Sequence, residues 1–244
     1  MVYRRLHLIQ SLLYPPVCVL CGQPGSGDLD LCDPCRRELP YNGPACTGCA
    51  LPLPATPAGT EPEGAGLCGR CLAGAPLAQR AFALFRYAPP VNHLVYALKF
   101  GGRLQYARLL GELTAAALAR RDQPAPGMIL PVPLHPGRQR RRGFNQAIEL
   151  ARPVARRLGA VLELRACRRV RPTEAQSALE ASERRRNVRG AFAWRGPPPA
   201  AHVAVFDDVI TTGRTVGELV RLLRRQGVKT VEVWSVARAL PPGR

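Results

Sequence analysis

The chain has 244 residues, with 35 lysines and arginines against 17 aspartates and glutamates, a formal charge of +18, and 25 prolines, 23 glycines and 9 cysteines. That length is enough for one substantial hydrophobic core and a small appendage. The charge calls for an anionic partner, and no apolar run reaches the roughly 20 residues of a membrane-spanning helix, so insertion into a bilayer is excluded.

In Met1–Tyr14, Arg4 and Arg5 precede Leu6, Leu8, Ile9, Leu12 and Leu13, but His7, Gln10 and Ser11 break the run and no small-residue cleavage site follows. It reads as an amphipathic helix of a cytoplasmic protein rather than an export signal. Four Cys-x-x-Cys pairs follow: Cys18 with Cys21, Cys32 with Cys35, Cys46 with Cys49, and Cys68 with Cys71, separated by ten, ten and eighteen residues. One such pair places two thiolates on a metal and two pairs complete a tetrahedral sulfur site, so eight ligands predict two structural Zn²⁺ ions in a double zinc ribbon. Neighbouring pairs are the expected partners, with crossed pairing left open. A disulfide framework does not suit a reducing compartment, and no pair opens a helix after a strand as a redox motif does. The segment is poor in apolar residues, so metal would supply much of its stability. Two ions bound by eight thiolates would lower the formal charge to about +14. Leu51–Gly66, rich in Pro, Gly and Ala, reads as a loop. The ribbon and its leading helix are assigned to residues 1–77, and an α/β domain to residues 78–244.

Ala81–Tyr87 has the pattern of a strand, Val91–Phe100 of a helix closing at Gly101 and Gly102, and Leu104–Ala119 of a second helix. Lys99 is one of only two lysines, beside Lys229. It is either a phosphate-proximal contact or a helix C-terminal cation before a glycine cap. Met128–Val132 is a short strand, followed by a basic, glycine-containing loop that includes Arg138, Arg142, Gly143, Asn145 and Gln146, and then by the helix Ala147–Leu158. A loop of this kind between a strand's carboxyl end and a helix is where an α/β sheet holds a pyrophosphate. From Leu134 to Arg195 there are 16 arginines against 5 glutamates. Cys167 reads as a half-buried residue on a strand edge. Ala166–Trp194 is long and polar for a connection, with a helical Ala175–Arg186 inside it, and has the character of a lid or binding loop.

Val203–Phe206 reads as a strand covered on both faces, which places Asp207 and Asp208 at its carboxyl end. Thr211, Thr212, Gly213, Arg214 and Thr215 then form a turn before the helix Val216–Arg225, and Thr230–Val236 closes a βαβ unit. Backbone N–H groups in such a turn can curl around an anion at a helix N-terminus. An acid pair beside an anion cradle suits a ligand with vicinal hydroxyls and a phosphate, such as a ribose 5-phosphate. A Walker B strand would also end in two acids, but it requires a Gly-Lys phosphate loop, and the chain has no Gly-Lys pair. An ordinary capped strand-turn-helix leaves the carboxylate pair unexplained, because such a pair is costly unless something binds it.

The stretch Val203–Thr215 resembles the 5-phosphoribosyl 1-pyrophosphate (PRPP) motif of type I phosphoribosyltransferases. With the Cys-x-x-Cys modules, Leu98 to Phe100, Pro131 to Pro133, Arg142 to Gln146, Gln176, Arg186 to Val188 and Gly190 to Phe192, the whole chain resembles the ComF family. The resemblance implies a type I phosphoribosyltransferase fold, a mostly parallel sheet flanked by helices, behind an N-terminal zinc ribbon. It also implies a link to natural competence, the import of single-stranded DNA. By that resemblance Asp207 and Asp208 hold the ribose hydroxyls; Thr211, Thr212, Gly213, Arg214 and Thr215 hold the 5-phosphate; Mg²⁺ accompanies PRPP; and Arg138 to Gln146, with Arg142 foremost, stabilise the departing pyrophosphate. The implied activity is phosphoribosyl transfer to an unidentified acceptor. The alternative is a non-catalytic PRPP or nucleotide sensor that engages single-stranded DNA or a DNA-uptake helicase.

Overall fold

The computed structural model of the chain describes residues 15–54, 66–74, 76–171 and 190–241. The helices expected over Met1–Tyr14 and Ala175–Arg186, and most of the Leu51–Gly66 connection, lie outside the described residues.

The centre of the fold is a five-stranded sheet in the order β1-β7-β6-β2-β3. The strands are β1 (Arg80–Arg86), β2 (Met128–Pro131), β3 (Val161–Leu162), β6 (His202–Ile210) and β7 (Thr230–Arg238), and every neighbouring pair is parallel. Parallel neighbours need crossover connections, and helices supply them. Helices α3 (Val91–Gly101) and α4 (Leu104–Leu118) join β1 to β2; α5 (Pro136–Arg142) and α6 (Gln146–Leu158) join β2 to β3; α7 (Arg214–Arg225) joins β6 to β7. Alternation along β6 and β7 sorts their side chains onto two faces. Ala204, Phe206, Trp234 and Val236 pack with Leu98, Leu110, Leu150 and Val154 from α3, α4 and α6. Val203, Val205, Val231 and Val233 pack with Leu219 and Leu223 from α7. Full burial of each valine, leucine or phenylalanine among them contributes about 1.5–3 kcal/mol.

The zinc-type segment packs onto this domain. It contains two one-turn helices, α1 (Asp33–Arg37) and α2 (Gly69–Leu72), whose N-cap residues are Cys32 and Cys68. Two of the pairs therefore open short helices. These are single turns, and neither follows a strand as a redox motif would.

Four local features differ from the sequence reading. Strand β6 continues four residues past Phe206, so the acid pair lies inside it rather than at its end. Pairing with β7 persists to Ile210 opposite Arg238, whereas β2 stops at Pro131 opposite Phe206, where Pro131 and Pro133 lack N–H groups for a ladder. The acids thus stand beside a neighbour that has ended. The expected basic loop is mostly helix α5, because His135 accepts from Gly137 N at 3.3 Å, Pro136 occupies the first turn and Gly143, at φ 82°, ends the helix in the left-handed region. The long connection opens and closes with an antiparallel pair, β4 (Cys167–Arg169) and β5 (Phe192–Trp194). Cys167 on β4 is buried rather than half-buried.

Chain order also fixes the crevice. From β2 the chain moves outward to β3, whereas from β6 it moves the other way to β7. The reversal falls between β2 and β6, and in open α/β sheets ligands bind at the carboxyl ends of strands at such a switch point.

Helices α4 and α6 approach closely at Gly111, where an added Cβ would lie 2.8 Å from Leu150 O and 2.9 Å from the Pro153 ring. Neither neighbour can turn aside, so Gly111→Ala will cost about 1–3 kcal/mol, read as a fall of roughly 3–10 °C in Tm. Gly217→Ala, whose Cβ would meet nothing nearer than 3.9 Å, is the control and will not lower Tm.

Candidate functional site

The site begins with the alternation of β6. Asp208 follows Ala204 and Phe206 onto the face covered by α3 and α6, and two residues from those helices meet it there. Lys99, in the last turn of α3 before the left-handed cap Gly102, forms an ion pair with Asp208 Oδ2. Lys99 is thus the helix-terminal cation of the second sequence reading, and its ammonium is turned onto the acid pair. Gln146 Nε2 donates to Asp208 Oδ1 at 3.4 Å, and Gln146 Oε1 accepts from Arg142 Nη1. Arg142 in turn lies over the Phe100 ring at 5.5 Å. The result is a chain of contacts from Phe100 through Arg142 and Gln146 to Asp208, with Asp208 itself buried. Burial lowers the Arg142 pKa first of all; the Asp208 charge opposes this.

Asp207 retains some accessible surface, yet its carboxyl group lies among protein atoms. Its pKa is raised well above the usual carboxylate range, chiefly by desolvation and next by the charge of Asp208, with Lys99 offsetting only part. Asp207 Oδ1 also accepts from Asp208 N at 2.9 Å. Two adjacent carboxylates served by one lysine form a site that a cation, or a ligand rich in hydroxyl donors, would stabilise.

Beyond Ile210 the exposed Thr211 and Thr212 lead into Gly213, the N-cap of α7 at φ 76°. Among the described residues no side chain caps this helix, and its first turn carries no acid. Its leading N–H groups therefore keep their capacity for an anion, and the helix dipole favours one. Arg214 Nη1 is buried without a hydrogen-bond partner among the described residues. Gly213 is required twice over: its φ is left-handed, and a Cβ there would lie 2.5 Å from Leu77 Cδ2.

Leu77 connects this turn to the cysteines. Its N donates to Gly48 O at 2.8 Å, and its side chain packs against both the α7 core and the cluster containing Cys46, Cys49 and Cys71. The eight cysteines form two groups, Cys18, Cys21, Cys32 and Cys35, and Cys46, Cys49, Cys68 and Cys71, with the sulfurs of each group within 4.8 Å of one another. This is the neighbour pairing. A tetrahedral ZnS₄ centre with Zn–S near 2.3 Å has sulfurs about 3.8 Å apart, and Cys21–Cys32 and Cys49–Cys68 each measure 3.6 Å, so the residues fit the ion. Burial opposes ionisation of Cys18 and Cys68, but backbone N–H groups outweigh it: those of Cys32, Leu20 and Cys21 bring Cys18 to about 6, and that of Cys71, with neighbouring thiols, brings Cys68 to about 7. N–H groups aimed at sulfur are what a metal-binding thiolate needs. Cys167 stands apart, its thiol pushed up to about 12 by burial and then by Glu163, which makes it inert.

Arg238 ends β7 fully buried. Its Nε donates to Cys49 O at 3.0 Å, and its Nη1 donates to Ile210 O at 2.8 Å, to Ala239 O at 2.7 Å and to Thr211 O. One guanidinium thus joins a zinc knuckle to the first residues of the phosphate-type turn. Sequence reasoning missed this residue, although an arginine ending the largely apolar stretch from Val233 to Ala237, broken only by Ser235, was a visible signal. Of the remaining expected residues, Asn145 is buried and committed to structure, its Nδ2 donating to Val132 O at 3.0 Å and its Oδ1 accepting from Ala147 N at 3.0 Å. Arg138 lies on α5 and Gly143 caps that helix.

Residues 9–72 match a family described as a double zinc ribbon domain. Across 94% of its length the chain is 38% identical to the DNA utilization protein YhgH of Salmonella typhi, all of which is covered. It is 37% identical to the YhgH of Escherichia coli strain K12 over 94% of the chain and all of that protein. Competence protein F of Haemophilus influenzae is 36% identical over 85% of the chain and 96% of its own length.

The purified protein will contain two zinc ions per chain by elemental analysis. Arg238→Met will destabilise the fold by about 2–4 kcal/mol, because several buried carbonyls lose their donor. Chelator will then strip the second cluster first, leaving the Cys18 cluster loaded.

Proposed function

The chain belongs to the ComF family, which includes these DNA utilization and competence proteins, and on that premise we propose that it binds PRPP with Mg²⁺ and transfers the phosphoribosyl group to an acceptor. The observation that carries this reading is the meeting, at one switch point, of a buried carboxylate pair and an uncapped helix N-terminus. Asp207 and Asp208 accept hydrogen bonds from the ribose 2- and 3-hydroxyls. The N–H groups of Thr212 to Thr215, with the threonine hydroxyls and Arg214, hold the 5-phosphate. Mg²⁺, a hard cation that prefers oxygen ligands, would be held with the ligand near Asp207 and Asp208 and would neutralise charge on the pyrophosphate.

In the transfer, the C1–oxygen bond breaks and its electron pair leaves with pyrophosphate, while the acceptor's lone pair forms the new bond to C1. A ring N–H acceptor releases its proton to pyrophosphate or solvent. Negative charge grows on the leaving group, and preorganised cations lower the barrier by standing where it grows. Arg142, Lys99 and Arg138 are those cations, and Gln146 keeps Arg142 and Asp208 in register.

A second reading draws on the relatives' names and on the +18 charge. In it the same fold grips single-stranded DNA, with exposed arginines such as Arg140 and Arg141 on α5 neutralising phosphates. Its affinity would fall by close to one log unit per log unit of salt for each phosphate contacted, and salt-insensitive binding would exclude it.

Titration calorimetry with PRPP and Mg²⁺ tests the first reading. The wild-type protein will give a heat of binding, and Asp207→Asn with Asp208→Asn will weaken binding by at least about tenfold, as expected for a lost charged hydrogen bond. No heat from the wild-type protein refutes it. The raised Asp207 pKa fixes the sign of the pH response. The folded state holds the Asp207 proton more tightly than the unfolded chain does, so the unliganded fold loses stability as pH rises through that pKa. Asp207→Asn will therefore be more thermostable than the wild type above that pH and equal to it in acid. Because the ligand requires the ionised pair, PRPP affinity will rise with pH over the same window.

A further inference from the structure

A cavity of about 540 Å³ opens between the end of β2, helix α5 and strand β4. It adjoins the acid pair, because Pro131 in its wall pairs with Phe206, the residue before Asp207. Its lining includes the apolar Leu130, Pro133, Leu134 and Ile148 and the cations Arg168, Arg169 and Arg195. The facing acid, Glu163, is already engaged: its Oε1 accepts from the N–H groups of Arg165 at 2.6 Å and Ala166 at 2.8 Å. His135 is also engaged, since its Nδ1 accepts from Gly137 N.

Arg169 is the informative residue. Only 9% of its surface is exposed, its guanidinium lies 5.5 Å over the Phe192 ring, and its Nε is buried with no hydrogen-bond partner among the described residues. A buried guanidinium N–H without an acceptor is costly. Its nearby charges do little to offset that cost, since Arg138 opposes it and Asp207 alone favours it. Among the described residues, the cavity is therefore lined by a buried cation with an unpaired N–H, beside apolar side chains.

We propose that this cavity is a second ligand subsite, which takes a flat heteroaromatic ring bearing a carboxylate or phosphate. The ring lies against the proline and leucine side chains, and the acidic group meets Arg169, with Arg168 and Arg195 at the mouth. A volume of this size suits one or two fused rings with a substituent. The proposal rests on the PRPP reading for its role: beside a ribose held by Asp207 and Asp208, such a ring is the acceptor, which narrows the acceptor to acidic heterocycles. Neutral and cationic rings would leave Arg169 unpaired and are selected against.

The test is calorimetry on the zinc-loaded full-length protein, with and without PRPP and Mg²⁺. Pyridine-3-carboxylate and pyrimidine-4-carboxylate are compared with their neutral carboxamides, and inorganic pyrophosphate serves as a competitor. The carboxylates will bind at least tenfold more tightly than the carboxamides. Arg169→Gln will abolish that preference while leaving PRPP affinity within about twofold, and Arg169→Lys will restore part of it. If Arg169→Gln fails to fold, Arg195→Gln will reduce the same preference severalfold. Equal binding of acid and amide, no binding of any carboxylate, or displacement of the carboxylates by pyrophosphate alone from an Arg169-dependent site overturns the proposal. The titration without PRPP reads the cavity by itself, so a failure of PRPP binding is distinguished from a failure here.

Discussion

The buried guanidinium of Arg238 is the contact on which the rest of the arrangement depends. It closes the gap between a metal knuckle and a sheet, donating to Cys49 on one side and to Ile210 and Thr211 on the other. A charge in that position is tolerated because its N–H groups end on backbone carbonyls, and because a Zn²⁺ bound by four thiolates would carry a net negative charge beside it. Burial lowers its pKa first of all, and the charge of Cys49 opposes this. Leu77 makes the apolar counterpart of the same junction, filling the space that Gly213 leaves open. The ribbon is thus part of the wall behind the turn after β6, and a metal that fixed Cys49 would, through Arg238, also steady the start of that turn. The first cluster serves the other side of the molecule, where Cys18, Leu31 and Cys32 join the core beneath α3 and α4.

Strand lengths explain why a site forms where it does. Two prolines end β2 while β6 runs on beside β7, so one edge of β6 is free where Asp207 and Asp208 stand. The alternation of the strand then turns Asp208 toward α3 and α6, and both helices meet it with polar residues, Lys99 on one and Gln146 on the other. The site is strained in an electrostatic sense, since Asp207 is driven toward its neutral form by desolvation and by Asp208. Sites that bind charged or hydroxylated ligands often carry such perturbed groups, because the cost of holding them apart from water is recovered when the ligand arrives.

Much of this was legible in the sequence, because local patterns carried it. The Cys-x-x-Cys spacings pointed to both clusters and their pairing, and the apolar run ending in Asp207 and Asp208 pointed to the central strand, its turn and its helix. What was not legible depended on distant partners. The length of β6 follows from β7, which the acids' own neighbours do not reveal. The helix α5 was hidden by its charge, although His135, Pro136 and Gly143 supplied its caps. Strands β4 and β5 are three residues each and carry arginine or aromatic side chains, too short for a period to register. Arg238, Arg169 and Leu77 act chiefly through residues far away in sequence, and no spacing rule reaches that far.

The most direct measurement is a crystal structure of the protein with PRPP and Mg²⁺. The 5-phosphate is expected against the N–H groups of Thr212 to Thr215, the ribose hydroxyls on Asp207 and Asp208, and the Arg238 contacts to Cys49 and Ile210 unchanged. PRPP bound elsewhere, with the Asp208–Lys99 pair undisturbed and the turn empty, would contradict the assignment of this site.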